Sequence, residues 1–252
     1  PPDPSVSALA GTPAGRYLIA ISYDRNLDNP TVIRVLDPGD GHTIAATTVD
    51  SGPVEAMTLS PNGQQLAVGG YGQRVTVLYG IPDLSRQAEI SVPSFYDHEI
   101  AWSPDGDKLV LSNGGEFFVW SLADGPTVAH VLVGADSARN LAWSPDSARL
   151  AAIAQDSQTR VYDANTGEVL FVVGERDPRQ WWPQVAWSPD GRRLATTSDP
   201  QEDTGITATT FVWSDSGAPL ATGVAVLGAG SPPAAGRLGV FGTAACYCGN
   251  PT

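Results

Sequence analysis

The amino-acid sequence predicts an all-β protein made of repeated units, and three observations support this prediction. A strand that runs into a Ser-Pro-Asp-Gly turn or a close variant occurs at residues 100–106, 141–147 and 185–191. The 252 residues include 27 Gly and 21 Pro, which suits many short strands joined by tight turns. No stretch has an apolar period of 3.6 residues free of Gly or Pro, so no helix is predicted.

The repeated turn has a physical basis. Pro presets φ at the second turn position, Ser and Asp bond nearby backbone groups, and Gly accepts a left-handed φ. A weaker copy lies at residues 57–63, so the Ser-Pro pairs are spaced by 43, 41 and 44 residues. A Leu follows each turn three residues later, at Leu66, Leu109, Leu150 and Leu194. Self-similarity at a fixed period of this length predicts a repeat architecture.

Each period has room for four short strands. The first runs into the turn, as in the predicted strand His98–Ser103, and the third closes on a bulky residue. Those bulky residues are Leu36, Tyr79, Trp120, Tyr162 and Trp213. One such residue per unit, always at the same register, is expected to pack neighbouring sheets face to face.

A single four-stranded sheet buries neither face, so such units must stack on one another. Stacking around a ring gives a β-propeller of four-stranded blades, which is the predicted fold. Six units are begun and the sixth is incomplete; the alternative is a fragment of a seven-bladed ring. The predicted units, within one domain spanning residues 1–252, are residues 5–50, 53–93, 97–134, 138–174, 183–226 and, in part, 227–252.

The charge of the chain narrows its predicted partners. The net charge is −13 and Lys108 is the only lysine, so nucleic acid is not expected to bind. No apolar run is long enough to span a bilayer, so membrane insertion is not expected either. Residues 1–4 resemble the stub of a linker, which predicts a module of a longer polypeptide, in a compartment left open. Cys246 and Cys248 are a lone C-x-C pair and predict no metal site.

The repeats resemble WD40 repeats and the WD40-like repeats of bacterial TolB-type propellers. The resemblance covers about residues 5–227 and is carried by the strand, Ser-Pro-Asp-Gly and Leu-Ala pattern and by the Val-Trp-Ser or Val-Tyr-Asp that closes third strands. The family's Gly-His dipeptide is missing from the repeats, since Gly41-His42 falls elsewhere, and Trp-Asp is never intact. The resemblance implies a bacterial propeller without that family's buried hydrogen-bond network.

Candidate binding residues lie in the loops that enter the first strands. In propellers of this type these loops share one face with the loops between second and third strands, where function usually resides. The predicted binding set is Glu55, Tyr96, His98, Glu99, Arg139, Asn140, Arg179, Trp181 and Trp182. Aromatic and Arg side chains are typical anchors of binding surfaces. Neighbours on a pleated strand point to opposite faces, so Trp181 and Trp182 cannot both enter one core layer. This makes them the leading candidates for a contact with a partner.

Two classes of function stay open at this point. The favoured class is a non-catalytic scaffold that binds a protein or peptide on the loop-rich face, because G-x-S-x-G, a His–carboxylate ligand set and a matched acid/base pair are missing from the sequence. The alternative is a small-ligand-binding or hydrolase-type propeller that uses polar residues at the channel mouth, with or without a metal ion. We expect no catalytic residue, cofactor or resident metal. Convergence of Glu55, Glu99, Asn140 and Gln184 on one point, with a bound ion, would favour the alternative, whereas a broad face bearing Trp181 or Trp182 would favour the scaffold.

Overall fold

The computed structural model describes residues 6–22, 31–49, 54–70, 75–91, 100–112, 117–122, 127–132, 139–154, 156–174, 184–197 and 209–224. These residues form five antiparallel sheets of four strands each, and the strands of each sheet lie side by side in chain order. The all-β prediction is therefore confirmed. Since that part of the chain contains no helix, it has none that is long and apolar enough to cross a membrane.

The strands are numbered along the chain, four to a sheet. They are β1 (Val6–Gly11), β2 (Leu18–Ser22), β3 (Thr31–Leu36), β4 (Thr43–Val49), β5 (Val54–Leu59), β6 (Gln65–Gly70), β7 (Val75–Gly80), β8 (Arg86–Ser91), β9 (Ile100–Trp102), β10 (Lys108–Ser112), β11 (Phe117–Ser121), β12 (Thr127–Leu132), β13 (Arg139–Trp143), β14 (Arg149–Ile153), β15 (Thr159–Asp163), β16 (Val169–Val173), β17 (Val185–Trp187), β18 (Arg193–Thr197), β19 (Thr209–Ser214) and β20 (Pro219–Val224). Sheet 1 contains β1–β4, and sheets 2 to 5 follow in the same way.

The strand predicted at His98–Ser103 is shorter in the structure, where β9 ends at Trp102. Ser103 belongs to the turn instead, because its backbone N–H donates to the carbonyl of Lys108 at 2.9 Å. Its hydroxyl also accepts the N–H of Lys108, at 2.9 Å. The serine therefore closes the hairpin loop and does not extend the strand.

The turns between first and second strands have the predicted construction. In sheet 5 the Ser188 hydroxyl donates to Asp190 Oδ1 at 2.6 Å, and the N–H of Gly191 donates to the Ser188 carbonyl at 2.9 Å. Gly191 has a φ of 69°, which favours glycine. In sheet 1 Thr12 replaces the serine and accepts the N–H of Tyr17 on its hydroxyl oxygen at 3.1 Å.

Apolar side chains from both faces of the inner sheets form the core. In sheet 3, Leu109 and Leu111 pack in a cluster shared with sheet 2, whereas Val110 packs in a cluster shared with sheet 4. Similar clusters lie between sheets 1 and 2 and between sheets 4 and 5. Alternate residues of a strand point to opposite faces, so one strand serves two clusters. Each described sheet thus packs against the next sheet along the chain.

The three repeated tryptophans have equivalent surroundings. The indole N–H of Trp102 donates to the carbonyl of Thr58 at 3.2 Å, that of Trp143 to Ala101 at 3.2 Å, and that of Trp187 to Ala142 at 3.1 Å. In every case the acceptor lies in the first strand of the preceding sheet. Neighbouring sheets are therefore joined by a hydrogen bond at the same register.

The bulky residues that close third strands also pack as predicted. Tyr79, Trp120 and Tyr162 are buried, each in the cluster shared with the preceding sheet. Trp213 packs, partly buried, against the cluster between sheets 4 and 5. Leu36 belongs to the first sheet and is half-buried. The unit boundaries, the partial unit at 227–252 and the linker at 1–4 stay predictions, since most of those segments and both cysteines lie outside the described residues.

Candidate functional site

The antiparallel pairing gives every sheet two distinct edges. At one edge the first strand begins and the second ends, as shown by the pairs Val54↔Gly70 and Arg139↔Ile153. We call this end of the strands the entry edge of the sheet; the term does not refer to an outermost strand. The other edge, called the turn edge, carries the Ser-Pro turns and the loops between third and fourth strands. Loops that enter first strands and loops between second and third strands therefore meet at the same edge, as expected.

The first strands of consecutive sheets lie next to each other. Strand β9 contacts both β5 and β13, and β13 also contacts β17. The sequence positions that begin these strands include Glu55, Arg139, Asn140 and the residue before β17, Gln184. The fold thus places predicted site residues from sheets 2, 4 and 5 at the entry ends of neighbouring strands.

Irregular backbone marks two of these positions. The pairing of β5 with β6 shifts between Val54 and Ala56, so Glu55 is the extra residue of a β-bulge. The pairing of β13 with β14 shifts between Arg139 and Leu141, which makes Asn140 the extra residue there. Bulges redirect side chains and are over-represented beside functional sites. Both predicted residues therefore lie where the first strands β5 and β13 depart from regular pairing.

Asn140 also has an unusual backbone conformation. Its φ is 60°, in the left-handed region that asparagine tolerates better than most residues, and its side chain is half-buried. Gln184 is exposed and is fixed through its main chain, because its N–H donates to Thr197 Oγ1 and its carbonyl accepts the N–H of Thr197, both at 3.0 Å. Hydrogen bonds thus fix the backbone of Gln184, and the bulge of β13 sets that of Asn140.

An ion pair lies at the entry edge of sheet 4. Arg160 donates from Nη1 to Asp156 Oδ1 at 3.0 Å and from Nη2 to Asp156 Oδ2 at 2.8 Å. The two side chains are only 19% and 15% exposed, so water screens the pair weakly. Two parallel bonds of this kind fix direction as well as distance. Sequence reasoning missed the pair, although an Asp followed four residues later by an Arg across a tight hairpin is the available signal.

The rest of the predicted binding set lies outside the described residues. This holds for Tyr96, His98, Glu99, Arg179, Trp181 and Trp182, whose roles stay predictions. The backbones of Glu55 and Arg139 are placed in β5 and β13, while their side chains lie outside the description. The convergence of Glu55, Glu99, Asn140 and Gln184 on one point therefore also stays a prediction.

Comparison with known proteins gives the fold but no family. No protein-family model matches the chain, and no curated protein matches it. A solved structure described as "KlHsv2 with loop 6CD replaced by a Gly-Ser linker" is similar, with a TM-score of 0.66 and 19% sequence identity over 86% of this chain and 67% of that one. At that identity the likeness concerns the fold alone.

Proposed function

We propose that the chain is a WD40-like β-propeller that binds a protein or peptide on its entry edge and has no catalytic role. Support for the ring comes from the order of the contacts, since each described sheet packs against the next and the first strands adjoin one another. First strands that adjoin in this way are typical of sheets arranged around an axis.

Chain connectivity is the observation that carries the binding proposal. β17 begins at Val185 and β9 begins at Ile100, both at the entry edge. The segments just before them contain Arg179, Trp181 and Trp182 in one case and Tyr96, His98 and Glu99 in the other. Both segments therefore lead into their sheets at the entry edge. Strands β9 and β17 both contact β13. Aromatic and Arg residues are typical anchors of binding surfaces, so the composition of these two segments supports a binding role for this edge.

The described part of the edge supplies a rigid base for such a surface. The Asp156–Arg160 pair orders the hairpin loop of sheet 4, and Asn140 is held in a bulge. Binding residues carried by loops on a rigid scaffold lose less entropy when a partner binds.

A capture experiment tests the proposal. Tagged wild-type protein and the double variant Trp181→Ala/Trp182→Ala are used to recover partners, which are quantified by mass spectrometry. We expect at least one partner that the wild type recovers and the double variant loses. The matched control is Leu170→Ala/Leu220→Ala, which also removes two large apolar side chains, 48% and 55% exposed. They lie in the fourth strands β16 and β20, and the fourth strands are the outer strands of the proposed ring. This control should recover the partner as the wild type does.

Equal recovery by the wild type and the tryptophan variant would contradict the proposed face. Loss of the partner by the control alone would place the binding surface on the outer strands instead.

A small-ligand site is the second candidate function, favoured by the bulges at Glu55 and Asn140 in the first strands β5 and β13. It predicts that Glu55→Ala abolishes ligand binding while partner recovery stays unchanged.

A further inference from the structure

A groove opens between sheets 1 and 2 at the turn edge. It has a volume of about 450 Å³ and is lined by the turn between β1 and β2, the turn between β5 and β6, the loop between β7 and β8 and the start of β8. Sheet 1 contributes Tyr17, and sheet 2 contributes Gly63 and Ile81. The volume lies within the range of small-ligand sites.

The equivalent place between sheets 4 and 5 is occupied by an arginine. Arg149 has the repeat position of Tyr17, since both directly precede the leucine that follows the turn. Its Nη2 donates to the Gly191 carbonyl and its Nη1 to the Asp215 carbonyl, both at 3.0 Å. The guanidinium also lies over the ring of Trp187, 4.6 Å from the ring centroid. One planar group thus bonds two turns of the next sheet.

Sheet 2 has the two acceptor positions without such a donor. Gly63 corresponds to Gly191, because their φ angles are 68° and 69° and each N–H donates to the carbonyl of the turn serine, at 2.8 and 2.9 Å. Ile81 corresponds to Asp215, since each lies two residues after the bulky residue that closes the third strand. Among the described residues, none donates a hydrogen bond to the carbonyl of Gly63 or Ile81. The groove therefore has the acceptors of an arginine site and a tyrosine in place of the arginine.

The chemistry of the groove favours one kind of ligand. A guanidinium carries five N–H donors in a planar fork and is weakly hydrated, so it can reach both carbonyls at once, which a lysine ammonium does less well. Arg16 is the only charged residue that lines the groove. An anion could pair with Arg16, but it would also meet the two carbonyl oxygens, which repel it. The net charge of −13 attracts cations to the molecule as a whole.

We propose that the groove between sheets 1 and 2 binds a guanidinium group, that of an arginine side chain or of free arginine, through the carbonyls of Gly63 and Ile81. The ring of Tyr17 lies in the same groove, where it can take the role that Trp187 has for Arg149. This proposal is independent of the proposed partner binding, which uses the entry edge.

Titration followed residue by residue tests the site. The full chain is labelled with ¹⁵N and titrated with N-acetyl-arginine amide, and N-acetyl-lysine amide is the matched control. We expect saturable shifts of the Gly63, Gln64 and Ile81 amides with the arginine compound and about fivefold weaker binding of the lysine compound, which loses one hydrogen bond. The Gly191 and Asp215 amides should stay unchanged, because Arg149 already fills their site.

Free arginine distinguishes the two sources of the ligand. Tighter binding of the capped compound assigns the groove to an arginine side chain of a peptide or protein, and tighter binding of free arginine assigns it to the amino acid. Either result supports a guanidinium site.

The repeat offers a variant that fills the groove and a variant that empties its counterpart. Tyr17→Arg supplies the guanidinium from sheet 1 and should abolish the shifts at Gly63 and Ile81. Arg149→Ala should add arginine-dependent shifts at Gly191 and Asp215. The titration of the wild type depends on neither variant. Absence of saturable shifts at Gly63 and Ile81 up to tens of millimolar capped arginine would overturn the proposal, as would equal binding of capped lysine or shifts that persist unchanged in Tyr17→Arg.

Discussion

Trp102, Trp143 and Trp187 each have two roles in the packing. The ring of Trp102 or Trp187 fills a cluster between two sheets, and that of Trp143 packs, half-buried, against the equivalent cluster. The indole N–H meanwhile donates to a carbonyl of the preceding sheet. Tryptophan is typically buried in this way, with its ring packed among apolar side chains and its indole N–H hydrogen-bonded. Apolar contact alone would allow neighbouring sheets to pack in several relative positions. The hydrogen bond favours one of them.

Removing the indole N–H of Trp102 should weaken the packing of sheet 3 on sheet 2. Trp102→Phe keeps an aromatic ring but loses the bond to the Thr58 carbonyl. We expect the free energy of unfolding to fall by about 1–3 kcal/mol, from the lost hydrogen bond and the smaller ring. Urea denaturation measures it. Trp213→Phe is the comparison, since the Trp213 N–H bonds Thr196 within its own sheet. Unchanged stability in Trp102→Phe would contradict the role of the indole.

Acid should weaken the turn of sheet 4 through Asp146. The hydrogen bond from the Ser144 hydroxyl is the main cause that lowers the pKa of Asp146. A carboxyl with a lowered folded pKa stabilises the fold above its unfolded pKa of about 3.9, and this stabilisation is lost as pH falls through the folded pKa. Asn fits this position, because Asn62 accepts the equivalent bonds in sheet 2.

The test compares wild type with Asp146→Asn by denaturation at several pH values. The stability difference in favour of the wild type should shrink between about pH 6 and about pH 3. A difference that stays constant over this interval would show that the charge of Asp146 contributes nothing to the turn.

At the scale of elements, the Ser-Pro turns stack on one another. A Cβ placed on Gly63, in the turn of sheet 2, would lie 2.8 Å from Pro13 Cδ and 3.2 Å from Thr12 Cβ, in the turn of sheet 1. In sheets 3 and 4 the turns are joined by a hydrogen bond from Asp105 N–H to Ser147 Oγ at 3.0 Å. Arg149 links sheets 4 and 5, since its Nη2 donates to the Gly191 carbonyl at 3.0 Å.

Alanine variants of two glycines with similar backbone conformations distinguish the effect of turn stacking from the effect of backbone strain. Gly15 and Gly63 have φ of 64° and 68°, but a Cβ on Gly15 meets nothing within 4 Å. Both alanine variants carry a left-handed penalty of about 1–2 kcal/mol. Gly63→Ala should lose about 1–3 kcal/mol more, from overpacking against Pro13 and Thr12. Thermal or urea unfolding measures both. Equal losses would mean that the two turns do not touch.

The sequence predicted the elements better than their connections. Turn chemistry and the repeat period predicted four strands per unit, as the five described sheets have, and the third-strand residues Tyr79, Trp120 and Tyr162 are buried as predicted. The indole bonds were not predictable, because the acceptor carbonyls lie 42 to 45 residues away and depend on the offset between sheets. The bulge at Asn140 was missed because local backbone irregularity leaves little trace in residue periodicity. The Asp156–Arg160 pair was missed although its spacing of four residues is visible in the sequence, because spacing alone does not show that two side chains in a hairpin meet.

At the scale of the whole molecule, the two end sheets differ from the inner ones. Leu66 and Leu150 are fully buried, whereas Leu18 at the equivalent position of sheet 1 is half-buried and Leu9 is 62% exposed. On the outward face of sheet 5, Ala195 and Val212 are half-buried, although Val110 and Val119 at the equivalent positions of sheet 3 are fully buried. In the proposed ring these two outward faces lie on either side of the point where the ring closes.

Distances between equivalent points on the outer strands distinguish a ring from an open stack. Ile44, Gln87, Leu170 and Leu220 are the extra residues of the bulges in β4, β8, β16 and β20, and all four are exposed. Spin labels at pairs of these positions, in a background with Cys246→Ser and Cys248→Ser, report how far sheets 2, 4 and 5 lie from sheet 1.

Pulsed electron paramagnetic resonance on the three pairs that include Ile44 is therefore the most direct measurement. A ring predicts that the distance from Ile44 to Leu220 is no longer than the distance from Ile44 to Leu170, being shorter with six blades and equal with seven. A distance that increases steadily from Gln87 to Leu170 to Leu220 would contradict the radial arrangement and, with it, a common binding face at the entry edge.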